Sequence, residues 1–79
     1  METQKFVVTA VGKNRLEILN RIASLYLQRN IPVESFILSK DRDGNSRYKI
    51  CAQAPESSII KIVNQINNIV DISKVDYSI

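Results

Sequence analysis

The residues able to do chemistry in this sequence are few, and their types point to binding rather than turnover. There is no histidine to act as a general base near neutral pH, and neither a serine nor the single cysteine, Cys51, sits beside a recognisable base and orienting group. The same two facts leave no Cys and His set for a metal and no partner for an internal disulfide. Polar groups do gather at Gly12-Lys13-Asn14-Arg15, followed by Leu16-Glu17-Ile18, where a β-branched run gives way to helical spacing. A turn feeding a helix N-terminus presents unpaired backbone N–H groups and the positive end of the helix dipole, which suit a carboxylate. Asn14 fits two roles there equally, lining the site or serving as a turn or N-cap residue. Glu17 also reads two ways. Its carboxylate either repels an incoming anion or is simply a first-turn charge, favoured by about 0.3–1 kcal/mol.

Seventy-nine residues make one domain, 1–79, and a domain this small buries only ~60% of the surface of its unfolded chain. A partner chain is expected on size alone. With 44% apolar and 24% charged residues the chain can build a core and is not disordered. Its 11 Lys and Arg against 8 Asp and Glu are scattered, and the longest basic cluster, Lys40 to Arg47, is interrupted by Asp41 and Asp43. That is a mixed solvated surface, so no nucleic-acid partner is expected. No apolar stretch is long enough to span a bilayer, and Met1 opens almost directly onto a strand, which predicts a soluble cytoplasmic protein without leader or membrane association. Cys51 is expected to be a small buried hydrophobe.

The elements that must position the turn follow from periodicity. Lys5 to Val11 is β-branched and aromatic and stops at Gly12, a first strand. Leu16, Leu19, Ile22, Ala23 and Tyr26 form one helical stripe, widened by Ile18 and Leu25, and Asn30 and Pro32 end that helix. Pro32 opens a second strand at a sheet edge. Asp43-Gly44-Asn45 supplies positive-φ residues for a hairpin pairing Val33–Asp41 with Ser46–Ala54; with no flanking helices and no closing Glu it is no Ca²⁺ loop. Ile59, Ile62, Val63, Ile66, Ile69 and Val70 mark a second helix, capped by Ser57 or Ser58, and Lys74 to Ile79 is the last strand. The order predicts a ferredoxin-like α+β sandwich, a four-stranded antiparallel sheet with both helices on one face. The second and fourth strands are then edges, and Val33, Phe36, Ile37 and Leu38 make the second apolar enough to be a homodimer edge, with Val33, Ser35 and Ile37 at the contact.

Fold alone names no activity. An RNA-binding domain of this shape needs exposed aromatics on its central strands, which offer only Phe6 and Tyr48, the latter read as a cross-strand packing residue. A metal-transport domain needs a Cys-x-x-Cys after the first strand, and an acylphosphatase needs a phosphate-cradling loop; Val-Gly-Lys-Asn-Arg is neither. The segment from Gly12 to Phe36 instead resembles the signature of the amino-acid-sensing ACT domain, with Asn14, Leu19, Arg21, Ile22, Leu25, Tyr26, Arg29, Val33, Glu34 and Ser35 in the family's places. Glu17 stands where the family has its loop glycine, and Asn30 where it has a helix-ending glycine.

Within that family the chain is most similar to the small regulatory subunits of acetolactate synthase, through Gln28-Arg29, Val33-Glu34-Ser35 and Ile69-Val70-Asp71-Ile72-Ser73-Lys74-Val75. Its length and Glu17 look like the short type II subunit. The resemblance implies a non-catalytic subunit that dimerises through its second strand and first helix and activates a thiamine-diphosphate-dependent catalytic subunit, to which the cofactors belong. It implies Asn14, Arg15, Leu16, Glu17 and Ile18 as a degenerate effector loop for a branched-chain amino acid, insensitive to valine. Arg21 and Arg29 are candidates for docking on the enzyme. The alternative is a stand-alone amino-acid sensor acting on another enzyme or regulator.

Overall fold

In the computed structural model the alternating apolar residues of the first and third strands sit side by side at the centre of the sheet. The structure describes residues 3–41 and 43–79. The expected lack of a leader, which falls on Met1, and the hairpin residue Arg42 lie outside them. The elements are β1 (Gln4–Lys13), α1 (Leu16–Gln28), β2 (Val33–Lys40), β3 (Asn45–Ala54), α2 (Glu56–Asn67) and β4 (Ile72–Ser78). The sheet order is β2-β3-β1-β4 with every neighbouring pair antiparallel, so the ferredoxin-like arrangement is as expected and β2 and β4 are its edges.

Strand side chains alternate between faces, and here one face takes the whole core. Phe6, Val8 and Ala10 of β1 and Tyr48, Ile50, Ala52 and Ala54 of β3 pack against Ile18, Ile22 and Tyr26 of α1 and Ile59, Ile62 and Ile66 of α2. Both helices therefore cover the same face. Fully burying a side chain of the isoleucine class stabilises by about 1.5–3 kcal/mol, so these stripes fix how the helices sit. Phe6 and Tyr48 are 2% and 0% exposed, which leaves no aromatic platform for nucleic-acid bases on the central strands.

The structure departs from the sequence reading in several local ways. β1 does not stop at Gly12 but runs on through Lys13, leaving a two-residue link, Asn14 and Arg15, before α1. The buried line of α1 is Ile18–Ile22–Tyr26, at four-residue spacing, while Leu16 and Ala23 lie off that line and are exposed. α2 starts a residue before the expected serines: Pro55 is the N-cap, and its carbonyl accepts the Ser58 and Ile59 N–H groups. Proline's fixed φ suits that entry. Val70 lies beyond the end of α2 and is 81% exposed. Among the described residues of the hairpin only Gly44 has positive φ, and Asn45 is already strand. Asn30, at φ 56°, does take the left-handed role expected of it. Cys51 is half-buried rather than buried, because the register places it between Val7 and Ser35 on the face without helices.

Two buried hydroxyls, those of Tyr26 and Ser46, have no hydrogen-bond partner among the described residues. An unsatisfied buried hydroxyl costs about 1–3 kcal/mol, so Tyr26→Phe should raise stability by about 1 kcal/mol in urea denaturation. Burial, and after it the nearby Cys51, pushes the Tyr26 hydroxyl well above its usual range. The neutral form is thus favoured in the folded state, and its contribution is full below pH ~10 and falls as pH rises further, when an unfolded tyrosine would ionise. The phenylalanine variant should lose less stability between pH 9 and pH 11 than the wild type, with those pH values chosen as roughly either side of that point. A variant less stable than wild type at neutral pH would show that the hydroxyl has found a partner.

Candidate functional site

The turn at the start of α1 is built by two departures from regular structure. β1 pairs with β4 through Val11↔Lys74 and then Gly12↔Ile72, a register shift that forms a bulge. Opposite it, Asp71 takes φ 76°, a left-handed conformation that aspartate tolerates better than most residues. Its carbonyl then lies against Gly12, where an added Cβ would collide with it, and accepts the Lys13 N–H at 3.0 Å. Only glycine fits there. From below, the buried Tyr48 hydroxyl donates to the Lys13 carbonyl at 2.6 Å and accepts the Arg15 N–H at 3.2 Å, tying β3 to the link between β1 and α1.

These constraints aim Asp71 at Arg15. The Arg15 guanidinium donates to the Asp71 carboxylate at 2.8 Å, while Lys13 stands 3.8 Å from the same carboxylate and Glu17 stands 3.7 Å from Arg15. The two acids are not equivalent: the Asp71 side chain is 19% exposed and that of Glu17 84%. The hydrogen bond to Asp71, then the charges of Glu17 and Asp71, hold the Arg15 guanidinium above its usual value. Arg15 is also the N-cap of α1, in extended conformation and without a side-chain cap bond, so the first-turn N–H groups of the helix have no side-chain acceptor.

Beside this cluster is a cavity of about 110 Å³ lined by Arg15, Glu17, Ile18, Arg21, Ile69, Val70 and Asp71. Of the five loop residues expected from sequence, Arg15, Glu17 and Ile18 line it. Asn14 and Leu16 do not, and both are exposed, Leu16 at 80%. Sequence reasoning left Asp71, Arg21 and Tyr48 out of the site. Tyr48 could have been found, since a core-facing tyrosine needs a partner for its hydroxyl and the end of β1 is close to it in register. Nothing local in the sequence signals that the turn after α2 reaches back to Arg15.

The expected dimer residues lie along the other edge. β2 carries a bulge between Val33 and Ser35, leaving Ser35–Lys40 in regular register with β3. Ile37 is 53% exposed on the open face, Ser35 is exposed, and Val33 packs partly on the core. Between α1 and this edge runs a groove of about 410 Å³ lined by residues that include Ala23, Leu27, Pro32 and Val33. Among the described residues no group of three or more His, Cys, Asp or Glu could hold a metal ion, and no helix is long and apolar enough to cross a membrane.

No family model matches the chain. The ACT domain of GTP pyrophosphokinase from Chlorobium tepidum superposes with a TM-score of 0.80 over 98% of this chain and 100% of that one, at 10% identity. The fold is that of an ACT domain. In sequence, the chain is 25% identical over 76 residues to a probable acetolactate synthase small subunit of Methanothermobacter thermautotrophicus, covering 95% of this chain and 45% of that protein. The acetolactate synthase small subunit of Thermotoga maritima is 21% identical and superposes with a TM-score of 0.76, over 94% of this chain and 47% of that one. The chain thus spans less than half the length of either small subunit.

Proposed function

We propose that this chain acts as a non-catalytic, valine-insensitive small subunit of an acetolactate synthase, which dimerises and activates a thiamine-diphosphate-dependent catalytic subunit in branched-chain amino-acid synthesis. The observation that carries the reading is the likeness to an acetolactate synthase small subunit along 95% of the chain, joined to the ACT fold. The chemistry is in keeping with it: without a histidine the chain has no general base poised near neutral pH, whereas its turn at Arg15 is equipped for holding a carboxylate. Dimerisation is supported by the free edge of β2, by Ile37, 53% exposed on the open face, and by Leu27, 76% exposed, which lines the groove beside α1. Arg21 and Arg29 remain the proposed docking charges for the enzyme, and the cofactors belong to that partner.

Titrating this chain into purified catalytic subunit should raise the rate of acetolactate formation and saturate at equimolar chain, while the chain alone forms none. A flat titration would remove the assignment. Calorimetry of the chain with valine, leucine and isoleucine should show no heat of binding. Binding of any of them, together with a flat titration, would instead identify a stand-alone amino-acid sensor.

A further inference from the structure

Of the two guanidiniums that line the cavity beside α1, that of Arg15 is already occupied, and the occupant is a side chain of this protein. Arg15 is the arginine of that cavity engaged at hydrogen-bond distance, with the Asp71 carboxylate at 2.8 Å, whereas Arg21 makes no ion pair among the described residues. Asp71 is not there by chance of a mobile surface side chain. Its backbone is held in the left-handed region at φ 76°, its carbonyl is bonded to the Lys13 N–H, Gly12 leaves room for that carbonyl, and Lys13 stands 3.8 Å from its carboxylate. The other lining residues are Glu17 and the apolar Ile18, Ile69 and Val70, the last 81% exposed at the rim. A carboxylate on a short aliphatic group matches this arrangement of guanidiniums beside apolar walls.

We infer that Asp71 is an internal plug, a carboxylate of the chain itself that holds Arg15 in place of the carboxylate of a small aliphatic amino acid. This deepens the reading above, on which it rests for the ligand class, by naming what keeps the site from responding to valine. Glu17 adds negative charge at the rim but is the lesser group, being 3.7 Å from Arg15 and largely in water. A ligand must displace Asp71 before its own carboxylate can bind the Arg15 guanidinium, so its apparent affinity for that group falls by the fraction of time the plug is out.

The test uses valine as the probe and the purified chain, with binding read from backbone amide NMR shifts. The wild type should show no saturable shift. Asp71→Asn keeps the size of the side chain and tolerates the same positive φ, but it removes the charge and should bind valine at least tenfold more tightly than the wild-type limit. Asp71→Gly, which suits that backbone without strain, is the second variant in case the amide re-forms the contact. Adding Arg15→Gln to either should abolish the gain, a result that mere loosening of the turn would not produce. Folded Asp71 variants that bind no valine would overturn the plug while leaving activation of the catalytic subunit, measured by rate, untouched. Gain that survives Arg15→Gln would overturn it too. Saturable binding by the wild type would instead overturn the insensitivity in the proposed function.

Discussion

Gly12→Ala is expected to lower the melting temperature by roughly 10–20 °C in a circular-dichroism melt. The added Cβ would collide with the Asp71 carbonyl and stand 2.9 Å from Ile72 Cδ1 and 3.0 Å from Ile72 Cα, so two of its three nearest neighbours are backbone atoms. Backbone cannot swing aside as the end of a side chain can. Relief requires β4 to move away from β1, breaking the Lys13 N–H bond to Asp71 and the pairing at Gly12↔Ile72. Overpacking of this kind costs about 3 kcal/mol or more. A chain of 79 residues has roughly 4–12 kcal/mol in all, and each kcal/mol is worth about 4–8 °C in a domain of this size. Gly44→Ala is the contrast: its Cβ meets nothing within 4 Å, and only its φ of +76° is unfavourable, so the loss should be near 1 kcal/mol. A Gly12→Ala protein that melts within a few degrees of wild type would mean that the contact with β4 yields freely. The same variant should displace Asp71 from Arg15, so its valine response would report on turn geometry and charge together; that is why the charge is tested at Asp71 itself.

The fold was legible because its signals are local and repeated. The β-branched alternation of Phe6, Val8 and Ala10 and the spacing of Ile59, Ile62 and Ile66 each specify one face of one element, and burying those faces together leaves little choice of architecture. Asn30 was legible for a similar reason, since few residues other than glycine close a helix at positive φ. The site was legible only in half. Arg15, Glu17 and Ile18 follow from their place at a helix start, which the sequence displays. Asp71 does not, because its role depends on a residue 56 positions further along the chain returning to the same point and on a bulge whose register no local pattern announces. The same limit explains Cys51 and Val70: both are apolar enough to read as core, and only the register of β3 and the end of α2 at Asn67 decide that they are not. Pro55 shows the converse. The serines near it are good caps by type, yet the strand ends at Ala54 and the helix begins at once, so no place is left for a serine cap.

Ile37→Lys is expected to raise the dissociation constant of the proposed homodimer at least a hundredfold, seen by sedimentation at micromolar concentration. Antiparallel pairing about a two-fold axis puts each residue opposite one on the same face of the joined sheet, so the axis must pass through a self-paired position. The regular part of β2 is Ser35–Lys40, which centres the axis near Ile37. With the axis at Ile37 the two isoleucines face each other, and with it at Phe36 each faces the partner copy's position 35. In both cases the substitution brings two ammonium groups to the middle of the joint and removes apolar burial from each copy, about 1.5–3 kcal/mol for a side chain of this class. A hundredfold loss needs only about 2.8 kcal/mol. The protomer should fold normally, because Ile37 is already 53% exposed. It does stand opposite Lys49 on β3, and a like-charge pair there costs about 0.2–1 kcal/mol, so Ile37→Glu is the better-behaved companion. Within one protomer the glutamate gains Lys49 as a partner, while across the axis two carboxylates repel as two lysines would. Dissociation by both variants identifies the edge as the joint, since opposite charges share only their position. Two variants as dimeric as the wild type would place the contact elsewhere, and a wild type that sediments as a monomer would remove the dimer altogether.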